Sequence, residues 1–385
     1  TWGLNFVREI KRERRIYTWT HVDSKIGAVI QQAGVLNGIK NIKTPTRLFL
    51  IPYSSFYLNA SDAQKTNGEF KGGLDVKYGI NDAFTLDMTL IPDFGQVQFD
   101  NRVFNLTPYE VRFQENRPFF TEGTELFNKG NLFYSRRIGG EPIHYWDVDG
   151  VLNGDEAVLK NPQQSRLVNA TKISGRSQKG LGIGVLNAVT KPQYALVENS
   201  AKQQRKIETD PLTNYNVFVL DKTMKHNSSV SLINTNVWRS GKDYDANVTA
   251  GLFELNDKEN TWNLGGKLAM SNRFGYLSNG ETQSGFSHEV HVGKTSGRFN
   301  FNLSQERTDT KYTSDDMGYF TNNNYLIHGA WIGYKWTEPK NWYNRIFINF
   351  NTNISTLAKK IEPVDEMYQA ARLNSNLNIQ SKKLW

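Results

Sequence analysis

A chain of 385 residues is too long for one ordinary sandwich and suits one large barrel or two domains. It has no cysteine, which excludes a disulfide framework and a thiolate metal site. Lys plus Arg exceed Asp plus Glu by only 46 to 38, a dispersed +8 without a nucleic-acid recognition motif. No run of ~18 apolar residues is present, so a transmembrane helix is excluded. Aromatics at 12% and a mean hydropathy of −0.58 suit both a water-soluble globule and an outer-membrane barrel with a polar lumen.

Residues 1–45 read as a lead-in. Thr1-Trp2-Gly3 opens without an initiating Met or an apolar signal core, so the chain is expected to begin inside a longer precursor. The run REIKRERR at 8–15 is the densest basic stretch, and two Glu interrupt it. It reads as a solvated linker. From Leu48 onward the text becomes repetitive, with scattered Gly and Asn, rare Pro and no persistent helical stripe.

The repetition is two-sided, as strands require. Phe84, Leu86, Met88 and Leu90 oppose Thr85, Asp87 and Thr89. Trp262, Leu264, Leu268 and Met270 oppose Asn263, Gly265, Lys267 and Ala269. Leu373, Leu377 and Ile379 oppose Asn374, Asn376 and Asn378. Segments 299–306 and 342–354 follow the same plan, although Tyr343 and Phe347 sit on the polar side of the second; 74–80, 181–189, 230–238, 246–254 and 286–294 follow it with more exceptions, and 325–336 is mixed. These runs are ~9–12 residues, the length of a tilted membrane-crossing strand. Short turns near 81–83, 175–180, 221–228, 256–260, 294–298 and 337–341 alternate with longer connections, 239–244 excepted. That asymmetry marks an outer-membrane barrel. Asn and Gly on the polar faces suit a wet, crowded lumen. About fourteen or fifteen strands fit the text. Because barrels in lipid must close with even numbers, the chain is expected to form part of a larger barrel.

Residues 94–142 break this regularity. They combine aromatics, arginines and carboxylates and lack the Ser/Gly bias of a linker. The phrases TLIPDFGQVQFD, FNLTPYEVRFQENRPFFTEG and LFYSRRIG occur in order, and WGLNFVREIKR opens the chain. Together they resemble the outer-membrane barrel domain, itself of unknown function, of Bacteroidota proteins in which a carbohydrate-binding family 9-like domain precedes the barrel. Ile91, Gly95 and Asn116 depart from that family's usual Asn, Ser and Lys. The resemblance implies a junction at 1–45 and a barrel over 46–385. The sugar-binding domain itself is not in this text.

Asp93, Asp100, Glu110, Glu115, Glu122 and Glu125 could supply the carboxylate pair of a glycoside hydrolase. The near balance of signs favours a different reading. Asp93, Asp100, Arg102, Arg112, Glu115, Arg117, Glu122, Arg136 and Arg137 are expected to form a charge-paired network that fixes a plug in the lumen. Arg117, Arg136 and Arg137 are each expected to find carboxylates there. His288 and His291 stand three apart on a strand and so face opposite ways, unlike a metal pair. Asp147, Asp149 and the Asn153–Glu156 run lack EF-hand spacing and read as a solvated loop. Gly182 and Gly184 belong to no phosphate loop and are expected to leave room for the plug.

The residues therefore predict an all-β, transmembrane antiparallel β-barrel of outer-membrane type with an inward-folded segment. The expected role is non-enzymatic: a channel, a scaffold or an accessory subunit of an envelope complex. Neither a cofactor nor a metal is expected. The expected partners are outer-membrane lipid, other envelope proteins and glycans, and nucleic acid is not among them. A glycan-processing surface protein and a soluble all-β binding protein are the competing readings.

Overall fold

A computed structural model describes residues 2–13, 15–22, 30–38, 47–61, 64–92, 100, 103–363 and 366–382. Fourteen strands form one antiparallel sheet in which each pairs with its neighbours in chain order. They are β1 (Leu48–Ser61), β2 (Gln64–Gly79), β3 (Phe84–Leu90), β4 (Leu167–Arg176), β5 (Leu181–Thr190), β6 (Thr213–Thr223) and β7 (Ser229–Arg239). The rest are β8 (Asp245–Asn256), β9 (Trp262–Phe274), β10 (Gln283–Lys294), β11 (Phe299–Thr308), β12 (Tyr325–Trp336), β13 (Tyr343–Leu357) and β14 (Tyr368–Ser381). Among the described residues, β1 and β14 are the edges of the sheet.

One rim carries tight turns built from turn chemistry. Asn81 Oδ1 accepts the N–H groups of Ala83 and Phe84 at 2.8 and 3.0 Å, between β2 and β3. Asp257 Oδ1 likewise accepts from Thr261 and Trp262 between β8 and β9. The other rim carries the long connections, of which 91–166, between β3 and β4, is the longest in the described sheet. Above it, Ala157–Lys160, Gln193–Glu198 and Gln204–Asp210 form a separate three-stranded sheet. Its small core joins Val148, Ala195 and Val197.

The outward face is apolar and open. Leu264, Leu268, Met270, Phe286, Leu303, Phe350, Leu373 and Leu377 are all exposed, Leu373 at 78%. A soluble globule does not present large side chains on strand after strand this way. Strand length, the up-and-down order and the two unlike rims complete the architecture of an all-β, outer-membrane-type barrel wall. Among the described residues no helix is long and apolar enough to cross a membrane.

One expectation is overturned in part. Asn-bearing polar faces are expected to line the lumen, and on 230–238 and 246–254 they do not, whereas Gly182 and Gly184 of 181–189 face inward as expected from the sequence. On β5 to β8, Asn187, Asn214, Asn216, Asn234, Asn236 and Asn247 lie opposite the buried faces of their strands. The inner face there holds Leu186, Ala188, Val217, Val219, Ile233, Val237, Val248 and Ala250, all buried in the main core. The cause is tertiary. A folded insert fills that side of the barrel with its own apolar residues, so the wall facing it is apolar too.

Candidate functional site

The insert enters after β3, and its centre is a four-residue helix, α1 (Pro118–Thr121). Arg117 precedes it in an extended conformation and Pro118 takes the first helical position, where a missing N–H costs nothing. The adjoining 3₁₀ turn Ser135–Arg137 lies alongside. Phe120, Leu126, Phe127, Leu132, Phe133 and Ile138 are buried against the wall from β4 to β9 and against Tyr312 and Met317 of the β11–β12 loop.

Arg117 joins the two motifs. Its Nε and Nη2 donate to the two oxygens of Glu115 at 2.9 and 2.7 Å. Nη1 donates to the Ile138 carbonyl and Nη2 to the Ser135 carbonyl, each at 2.7 Å. The guanidinium also stands 4.3 Å from the Phe120 ring centre. Glu115 further accepts the Arg117 N–H at 2.8 Å and the Ser135 hydroxyl at 2.5 Å. Burial alone would raise the Glu115 carboxyl, but Arg117 and Ser135 hold it below its ordinary range.

The remaining arginines secure the outer layer. Arg136 donates to Asp100 at 2.7 Å and to the Gln114 carbonyl at 3.1 Å. Arg137 holds Glu110 at 2.7 Å, the Gly318 carbonyl at 3.0 Å and Asp315. Arg112 stacks over Tyr319 and Tyr134, at 5.4 and 5.8 Å from their ring centres, instead of meeting a carboxylate. Asp93 and Arg102 lie outside the described residues.

A second set of ties runs from the insert to the wall. Lys77 on β2 pairs with Glu122. Lys172 on β4, 1% exposed, donates to the carbonyls of Phe119 and Glu122 at the end of α1, where a cation suits the helix dipole. Arg176 holds Glu125 at 3.0 Å and Asp221 on β6 at 2.5 Å. Asp221 also receives Lys129 from the insert. Lys77, Lys172, Arg176 and Asp221 were not singled out in the sequence, because each reads as an ordinary inward polar residue of its strand.

Glycines allow the close fit. A Cβ on Gly182 would lie 2.9 Å from Leu126, and one on Gly184 would lie 3.2 Å from the Phe127 ring. Gly123 has φ +60, and a Cβ there would also approach Ser174 Oγ at 3.1 Å.

Residues 44–385 match the family described as Domain of unknown function (DUF5916). The chain belongs to that family. Among solved structures, the DUF5916 chain is similar to Pseudomonas aeruginosa OpdK with vanillate, at 11% identity and a TM-score of 0.34, covering 84% of this chain and 74% of that one. It is also similar to Pseudomonas aeruginosa OccK5 (OpdH), at 12% identity and a TM-score of 0.34, covering 90% and 77%. Likeness of this degree carries no functional information. No curated protein matches the DUF5916 chain.

The other sequence candidates sit apart from the insert's core. His288 on the outer face contacts Gln305 at 3.1 Å, and His291 on the inner face contacts Asn263 at 3.1 Å. Asp155 accepts the Ser200 hydroxyl, and Glu156 takes a paired contact from Arg205 at 2.6 and 2.7 Å. That contact draws the Glu156 carboxyl down to about 2. His144 is held at both nitrogens, by Asp147 at 2.8 Å and by Asp243 of the β7–β8 loop at 2.7 Å. Burial would lower its pKa, but the two carboxylates raise it.

Proposed function

We propose that this chain forms the wall and plug of a bacterial outer-membrane β-barrel that acts as a non-enzymatic channel for small polar solutes. The observation that carries the reading is the division of the interior. The plug packs on the wall from β2 to β9 and on the β11–β12 loop at the rim. The inner faces of β11, β13 and β14 carry carboxamides and hydroxyls, including Ser304, Asn349, Asn351 and Asn376, while β12 between them adds Ile327, Trp331 and Lys335, with Trp331 against Phe347 of β13. Asn349 Oδ1 accepts from Asn351 at 3.0 Å and from Asn376 at 3.1 Å, a hydrogen-bonded polar surface suited to water. The plug narrows the lumen while this wetted half leaves a path beside it.

Glycan processing is the weaker reading. Catalysis by a carboxylate pair needs one member with a raised pKa, whereas Glu115 is held low by Arg117 and Glu122 is paired with Lys77. Sugar binding would rest on a separate carbohydrate-binding domain, which only the motif resemblance suggests.

The test is conductance of the purified protein in planar bilayers, with insertion verified by protease protection. Discrete conductance steps that grow when Glu122→Gln and Lys77→Met loosen the plug are expected. An inserted protein that stays silent at all voltages would overturn the channel and leave a scaffold.

A further inference from the structure

The six outward Asn residues of β5 to β8 form a field of two hydrogen-bonded clusters that lie side by side where Asn216 pairs with Asn236. Asn187 Nδ2 donates to Asn214 and Asn216, each at 2.8 Å, and Asn216 Nδ2 donates to Asn214 at 2.8 Å. Asn236 donates to Asn234 and Asn247 donates to Asn236, each at 2.5 Å. Five of the six stand toward the long-loop ends of their strands and Asn234 stands midway along β7, with Asn214 directly paired to the exposed Trp238.

This field shortens the apolar band on one side of the barrel. On β9 the outward face is apolar from Trp262 to Met270, interrupted by Gly266. At about 2.5 Å of height per tilted residue that run covers roughly 20–25 Å, a full hydrocarbon thickness. On β6 the outward apolar run is Phe218 and Leu220, and on β7 it is Val230 and Leu232 below the field with Trp238 above it, roughly 8 Å of continuous run in each case, while β5 keeps Leu181, Ile183 and Val185. Hydrocarbon against carboxamides is unfavourable even when the amides bond one another.

We propose that this face is covered by a second copy of the chain, in a symmetric pair of barrels. The chemistry of the field points to self-association. A carboxamide both donates and accepts, so an Asn surface is complementary to itself across a two-fold axis. The field is also neutral in a chain of net charge +8. A charged face would repel its own copy at the axis, and a lipid phosphate would call for Lys or Arg. The inference rests on the wall lying in a bilayer, and the experiment separates the two claims.

The chain lacks cysteine, so single-cysteine variants report one position each. Asn216→Cys and Asn236→Cys, oxidised in native outer membranes, are expected to yield homodimers, and Leu264→Cys on β9 is not. Asn216→Leu with Asn236→Leu should lower the dimer fraction in nanodiscs at least ten-fold while heat-modifiable migration persists. A monomer with no cross-link at 216 or 236 overturns the proposal. So does a cross-link to a different polypeptide, which would make the face a site for another protein. Labelling of Leu264→Cys by a membrane-impermeant maleimide would instead overturn the bilayer placement itself.

Discussion

Arg117 donates to one carboxylate and two carbonyls, a pattern only a planar fork can satisfy. Arg117→Met would leave the buried Glu115 with the Ser135 hydroxyl and Arg136, 3.9 Å away, as its remaining partners, and the expected loss is about 3 kcal/mol. Urea unfolding in liposomes measures it, with Arg112→Met as the comparison. Arg112 only covers two rings, so its loss should cost about 1 kcal/mol or less. An equal effect at both positions would refute Arg117 as the joint between the motifs. At His144, both ring nitrogens can donate only in the protonated form. Its folded pKa lies above the ordinary value, so the clamp's stabilisation is fully present below about pH 6.5. It is lost as pH rises through the raised folded value. Protection from hydrogen exchange at 143–148 and 240–245, taken relative to the intrinsic rate at each pH, should therefore fall as pH rises past that point. His144→Gln should abolish that fall in protection.

At the scale of elements, the strands and the alternation of rims were legible because a strand's two faces print a period of two on the sequence. The insert was legible as an interruption, and its acids and arginines as a mixed set. The inward side of β5 was legible from Gly182 and Gly184, but which side of β7 and β8 faces inward was not. Asn234 and Ile233 alternate as plainly with either one inside, and the insert that decides between them is distant in sequence. Lys172 was missed for a related reason: its partners are backbone carbonyls at the end of α1, which leave no signature in side-chain chemistry. The fit of α1 to the wall yields its own prediction. Gly184→Leu would drive a side chain into Phe127, and overpacking of this kind typically costs about 1–3 kcal/mol. Limited proteolysis should then cut within 103–142, where the native protein resists. Unchanged resistance would show that the wall yields at Gly184.

At the scale of the whole molecule, the barrel has two unlike interiors. One side is a packed core made jointly by plug and wall, with Phe127, Leu186, Val219 and Ile233 at 2% exposure or less. The other is a mainly polar surface on β11, β13 and β14, with Ile327 and Trp331 of β12 between them. Deleting 103–142 should therefore not produce a wider pore. It would leave Leu186, Val217, Val219 and Ile233 facing water, and the expected result is loss of heat-modifiable folding rather than raised conductance.

The order of these parts along the chain has a consequence for assembly. The insert emerges before β4 to β9, the strands whose inner faces it covers. β3 must find β4 across the whole of 91–166, a distant closure that is slow on loop entropy alone. An insert that has already gathered Phe120, Phe127 and Phe133 offers each arriving hairpin an apolar surface to settle on. A segment that folds in this order would serve as the mould around which half of the wall is cast, and pulse-labelled hydrogen exchange that protected β4 to β9 before 117–138 would refute it.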